Sequence, residues 1–141
     1  PQARFAAMAL LCPASERVIL DAIDERERTG DAGSIGPGRD SETPRWNTAA
    51  LRSYFLEEDS ARLARQVDCP VLLVHSREDQ VVSLAHSLFL VGHLRTETTL
   101  IALEGGTHTT AQHDVRLHRY TAAWLLEKAG ARTVSERTGR I

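Results

Sequence analysis

Two short apolar runs, each ending in a polar turn, constrain this chain more than anything else in it. The first is Cys69-Pro-Val-Leu-Leu-Val-His-Ser-Arg-Glu-Asp-Gln-Val-Val82, and the second is Thr98-Thr-Leu-Ile-Ala-Leu-Glu-Gly-Gly-Thr-His108. A run of Val, Leu and Ile without polar alternation reads as a strand covered on both faces, the environment of a parallel sheet. Pro70 opens the first strand, where a missing N–H is tolerated. One turn presents an acid, Asp79, and the other a histidine, His108.

The rest of the chain supplies the helices that parallel strands require. Residues 4–12 form a further apolar run stopped by Pro13, read as a strand, with a buried helix end as the competing reading. Ser15 is placed to cap a helix whose stripe is Val18, Ile19, Ala22 and Ile23, ended by Gly30. Residues 30–47, rich in Gly, Pro, Ser and Asp, read as a loop. Asn47 or Thr48 would cap a helix carrying Leu51, Tyr54 and Phe55, and Asp59 or Ser60 one carrying Leu63 and Val67. Leu84, Leu88 and Val91 predict a helix over 83–94; Leu117, Tyr120 and Trp124 share a face of one over 113–129. The tail from Gly130 is polar and expected to fray. Connections that contain helices imply parallel strands in an α/β arrangement, here of about three strands. Alone, such a sheet would leave the first strand's apolar edge unpaired.

Composition removes several classes of function. A chain of 141 residues, 42% apolar and 26% charged, is ordinary for one domain with a core. A net charge of −2, with basic and acidic residues interspersed, gives no footing for nucleic acid or an anionic membrane. No apolar segment approaches the roughly 18 residues of a membrane span. Cys12 and Cys69 fall at opposite ends of neighbouring parallel strands, too far apart to bridge, and read as small buried hydrophobes. The chain begins at Pro1 rather than Met, as a fragment, a processed chain or a trimmed gene model does.

Asp79 and His108 are the residues with a chemical case. Ligands of open α/β sheets bind beyond the carboxyl ends of the strands, and both residues fall at that edge. A carboxylate there can hold an imidazole in one tautomer and stabilise its cation, while a histidine suits proton transfer near neutral pH. Gly105 and Gly106 allow the sharp turn that would bring His108 over toward Asp79. Each also fits a solvated loop residue, and Glu78 competes locally for the acid's role. Two other patterns lead nowhere. His108, His113 and His118 are spaced by five, about 140° apart on a helix, and share no metal-binding face. Ala32-Gly-Ser-Ile-Gly36 mimics a nucleophile elbow, but Ser34 follows a charged segment and precedes Pro37, whereas an elbow leaves a buried strand.

The segment from about Asp59 to Leu126 resembles the C-terminal region of α/β-hydrolase-fold serine hydrolases. It is most similar to the small-cap carboxylesterase, monoacylglycerol lipase and lysophospholipase-like group. Residues 69–82, Leu103-Glu-Gly-Gly-Thr-His108 and the helix ending Ala122-Ala-Trp-Leu-Leu126 carry the likeness, and the spacing from Asp79 to His108 suits it. The resemblance implies a partial α/β-hydrolase fold, with residues 1–13 and 59–129 as core, 14–58 as a helical cap insertion and 130–141 as a flexible tail. It makes Asp79 the triad acid and His108 the triad base. The chain departs from the family in carrying Ser76 where Gly is usual, and Asp114 stands near where small-cap members place an acid after the histidine. The Gly-x-Ser-x-Gly elbow and the oxyanion-hole loop would precede Phe5 and are absent from this sequence.

The expected activity is cleavage of carboxylic esters or thioesters through an acyl-enzyme, with a small-molecule acyl substrate and the nucleophile supplied by a missing N-terminal half. The chain alone would then be inactive. Trp46, Leu51, Tyr54 and Phe55 would line an acyl pocket or simply pack the cap. No cofactor or metal is implied. The alternatives are a non-catalytic module that pairs its sheet edge with a partner chain, and a peptidase or acyltransferase of the same fold.

Overall fold

The structure, a computed structural model, describes residues 5–30 and 47–138, with 131–138 by backbone only. Contacts divide the chain into two units, Pro1–Pro13 with Ala61–Ile141, and Ala14–Ser60.

The larger unit is built on a parallel sheet in the order β1-β2-β3, formed by Met8–Leu11, Val71–Ser76 and Thr98–Leu103. Every residue of β2 is buried, which explains its lack of alternation: it is the central strand, with a neighbour on each side and helices on each face. β1 and β3 are only partly buried. β1 is shorter than the apolar run 4–12. Met8 pairs with Val71, the first residue of β2, and the Met8 N–H donates to the Pro70 carbonyl at 2.9 Å. Pro70 has no N–H to return, so the ladder cannot extend toward Phe5.

Helix α4, Leu84–Val91, forms the crossover from β2 to β3, capped by the Ser83 hydroxyl on the Ala85 N–H at 3.3 Å. The helix expected over 113–129 begins two residues later, and a short helix not expected from the sequence precedes it. α5 spans His108–His113 and α6 spans Val115–Thr138, the latter continuing well past Gly130. Asp114 separates them. Its carboxylate accepts from the Arg116 N–H at 2.8 Å and from the Leu117 N–H at 3.4 Å, and pairs with the Arg116 guanidinium at 3.0 Å. Arg116 and those backbone donors hold the Asp114 carboxyl down at about 2. Asp114 is thus a capping residue of α6. Leu117 and Trp124 pack with Leu72, Val74, Cys12 and Ala111, whereas Tyr120, expected on the same face, stays about half exposed. Lys128 lies over the Trp124 ring at 5.8 Å and also pairs with Glu97.

In the smaller unit α1, Glu16–Thr29, packs on α2, Thr48–Glu57. Ile23, from the expected stripe, is wholly buried. Gly30 ends α1 in the left-handed conformation at φ 68°, and the Asn47 side chain caps α2 by accepting from the Ala50 N–H at 3.0 Å. Arg52 ties the two helices through Asp24 at 2.6 Å and Glu27 at 2.8 Å. Ser60, the last residue of this unit, hydrogen-bonds the Glu16 carboxylate and opens helix α3, Ser60–Ala64, whose other residues belong to the larger unit. Ser34 and Trp46 lie outside the described residues.

Candidate active site

β2 and β3 end side by side, Ser76 opposite Leu103, and each releases a turn at the same edge of the sheet. The Arg77 N–H still donates to the Leu103 carbonyl at 3.0 Å, and the Arg77 and Glu104 side chains pair at 2.7 Å across the two exits. Ser76, wholly buried, donates from Oγ to the Thr107 carbonyl at 3.3 Å. The residue that departs from the usual glycine therefore fastens the end of one strand to the turn beyond the other.

Asp79 points inward, its side chain fully buried, while Glu78 is exposed. Of the two neighbouring acids, Asp79 is the one that faces the interior. Asp79 Oδ1 accepts from the N–H groups of Val81 at 2.9 Å and Val82 at 2.8 Å, which fixes the carboxylate plane. Oδ2 lies 2.8 Å from His108 Nδ1. Burial alone would raise the Asp79 pKa; the Val82 N–H, His108 and the Val81 N–H outweigh it, and the net shift is downward. Asp79 is accordingly an anion that only accepts, so the proton of the pair sits on His108 Nδ1.

His108 reaches Asp79 through the turn that precedes it. Gly105 and Gly106 have φ of 73° and 88°, where a side chain is strained. Gly106 also lacks room, since a Cβ there would fall 2.9 Å from Thr110 Cγ2. Thr107 follows as the N-cap of α5, its N–H donating to Thr110 Oγ1 at 2.9 Å, half of a capping box. His108 is the first residue of α5 and remains partly exposed, its Nε2 3.2 Å from the Gln112 side-chain nitrogen. An amide N–H donating there requires a lone pair on Nε2, which agrees with the proton on Nδ1. This is the form in which an imidazole can accept a proton from a third group.

Cys12, read from the sequence as a small buried hydrophobe, and His75, which was not singled out there, adjoin the pair. Cys12 is buried at the end of β1 with φ 46°, and burial pushes its thiol up. One ligand atom from each of Cys12, His75 and Asp79 lies within 4.8 Å of the others. A metal would need the lone pair of His75 Nε2, but that nitrogen is 2.7 Å from the Val82 carbonyl oxygen, which only accepts, so it carries a proton. As the residues stand, they do not offer a metal a complete set of donors. His118, one of the three histidines spaced by five, is 2.7 Å from the Gln112 carbonyl through Nε2. Cys12 and Cys69 are both buried and free.

In the smaller unit a cleft of about 280 Å³ is lined by Ile19, Tyr54 and Phe55 together with Glu16, Glu58 and Ser60. Leu51 is not among its lining residues. Among the described residues no helix is long and apolar enough to cross a membrane.

No family model matches the sequence, and no curated protein does. Solved structures do match. α/β-hydrolase domain-containing protein 10 from mouse aligns with a TM-score of 0.64 at 18% identity, covering 86% of this chain and 52% of that one. Proline iminopeptidase from Mycobacterium smegmatis aligns at 0.56 and 15% identity, covering 90% and 58%. Est1E from Butyrivibrio proteoclasticus aligns at 0.54 and 20% identity, covering 89% and 51%. The chain spans about half the length of these structures. At such identities the likeness is one of fold. Three parallel strands in one sheet, flanked by helices and matched over most of the chain by these hydrolases, make this part of an α/β-hydrolase fold.

Proposed function

We propose that this chain carries the acid and the histidine of a Ser–His–Asp triad that cleaves carboxylic esters or thioesters. The observation that carries the reading is the 2.8 Å contact between His108 Nδ1 and a buried Asp79 carboxylate whose other oxygen is pinned by two backbone N–H groups. The nucleophilic serine and the oxyanion-hole donors come from a segment outside this sequence. His108 Nε2 takes the serine proton as Oγ bonds to the substrate carbonyl carbon. It then gives that proton to the departing alcohol or thiol as the acyl bond breaks. In the second half it takes a proton from water, whose oxygen attacks the acyl carbon, and returns it to serine. Throughout, Asp79 stays ionised, orients the ring and stabilises its cationic form; its downward pKa shift suits that duty.

Residues 14–58 are the cap insertion, and Tyr54 and Phe55 contribute apolar surface to its cleft. The mouse, Mycobacterium and Butyrivibrio matches support a hydrolase of this fold and leave the substrate to experiment. The test is a series of esters of graded acyl length, with peptide substrates alongside, assayed on the complete protein. Ester cleavage that depends on acyl length, and a loss of roughly 10³-fold or more in kcat for His108→Ala and Asp79→Asn, is the expected result. Cleavage of peptides with indifference to acyl length refutes the ester assignment. Full activity in both variants refutes the triad.

A further inference from the structure

Asp79 is approached from two sides. His108 meets it from the partly exposed edge, and a second histidine, which the triad chemistry does not use, meets it from within. His75 is the fifth residue of β2 and is wholly buried. Its Nε2 lies 2.7 Å from the Val82 carbonyl oxygen and 3.4 Å from Asp79 Oδ2, and its Nδ1 lies 2.7 Å from the Ser87 hydroxyl. A carbonyl only accepts, so Nε2 carries a proton directed at Val82 and flanking Asp79. Ser87 is itself wholly buried and belongs to α4. The ring thus links the central strand, the acid turn and the crossover helix.

Val82 makes that link matter for Asp79. Its N–H donates to Asp79 Oδ1 at 2.8 Å and its carbonyl accepts from His75, so one residue is held by the acid on one side and by the histidine on the other. The turn from Arg77 to Ser83 has no strand or helix to fix it. A shift of Val82 would carry the carboxylate plane with it and tilt Oδ2 away from His108.

We propose that His75 is a positioning residue for Asp79, a buried Nε2–H donor that locks the Val82 end of the acid turn so that Oδ2 keeps its lone pair on His108. The proposal rests on the reading of Asp79 and His108 as a working pair. It is tested on the complete protein labelled with ¹⁵N at histidine, where ring nitrogen shifts report the tautomer of each imidazole. Wild type is expected to show His108 as a single Nδ1–H form and His75 with its proton on Nε2. His75→Leu is expected to lose the single-tautomer signature of His108, and His75→Gln, whose amide supplies a donor at a similar reach, to restore it. Asp79→Asn serves as the reference for the pair itself. If Asp79→Asn alters the His108 tautomer and His75→Leu does not, the pair stands and the proposal falls. If Asp79→Asn leaves His108 unchanged, the pair reading fails first. Should His75→Leu not fold, Ser87→Ala removes only the hydroxyl behind the ring; an altered His75 signature with an unaltered His108 overturns the proposal, and alteration of both upholds it.

Discussion

Replacing Gly106 with alanine tests how the histidine is delivered to the acid. Gly106 has φ 88°, and a Cβ would lie 2.9 Å from Thr110 Cγ2, 3.0 Å from its Cβ and 3.1 Å from its Oγ1. Thr110 cannot give way cheaply, because it is β-branched and its hydroxyl accepts the Thr107 N–H at 2.9 Å. The backbone conformation costs an alanine about 1–2 kcal/mol. Displacing Thr110 and losing its half of the cap costs about 1 kcal/mol more. A less flexible unfolded chain returns roughly 0.5–1 kcal/mol. The net expectation is a loss of about 1–2.5 kcal/mol, with the damage centred two residues before His108. Urea denaturation of the complete protein gives the stability, and the kcat for an ester substrate gives the placement of the ring. Adding Thr110→Ser removes the nearest clashing atom and keeps the hydroxyl, so the double variant should recover part of that roughly 1 kcal/mol but not the backbone share. An alanine variant within about 0.5 kcal/mol of wild type and fully active would refute the account of this turn.

Ser76→Gly removes the hydroxyl that donates to the Thr107 carbonyl and adds backbone freedom at the end of β2, for an expected loss of about 1–2 kcal/mol by urea denaturation. A neutral result would mean that the two strand exits are not fastened there. The folded-state pKa of Asp79 is lowered, so its contribution to stability is complete above the unfolded carboxylate value of about 3.9 and is lost as pH falls through the folded value beneath it. Urea midpoints between about pH 2 and pH 6 should therefore fall more steeply in wild type than in Asp79→Asn, and parallel curves would contradict the shift. The 141-residue chain expressed alone should self-associate through β1, which pairs only with β2 among the described residues. A monodisperse monomer in sedimentation, with one cooperative unfolding transition, would show that the edge is protected.

The elements legible in the sequence are those whose signals are local. β3 occupies the apolar run expected of it, and the helix after Ser83 lies within its predicted range because the stripe and the cap both sit there. β1 is shorter than its apolar run because the length of a strand is set by its partner, and β2 begins only after Pro70. α5 escaped the periodicity because His108-Thr-Thr-Ala-Gln-His113 is nearly all polar; its one signal was Thr107 followed three residues later by a hydroxyl, a weaker capping pattern than one with Glu or Gln. The start of α6 had the same kind of signal, Asp114 standing as an N-cap residue at the edge of the range read as a helix.

Asp79 and His108 could be picked out as a candidate pair because open α/β sheets bind ligands beyond their strand ends, whereas His75 was hidden by the uniform burial that made β2 easy to find. In a strand covered on both faces the hydrophobic pattern cannot say which residues look which way. The period of two still holds, and contacts recover it. Leu72 and Val74 pack with Ala111 of α5 and with Leu117 and Trp124 of α6, and Ser76, in the same parity, reaches the Thr107 carbonyl at the head of α5. His75, in the other parity, reaches Ser87 of α4 and the Val82 carbonyl. Two consecutive residues of one strand therefore brace the two turns from opposite faces of the sheet, His75 the acid's and Ser76 the histidine's. Such an arrangement needs a polar side chain in each of the last two positions of a buried strand, each with a partner supplied by a different element. A glycine at position 76 would leave the histidine's turn without this fastening, and an apolar residue at position 75 would leave the Val82 carbonyl buried and without a donor. Burying two polar side chains is tolerated here because each finds its hydrogen bonds in the turns it holds.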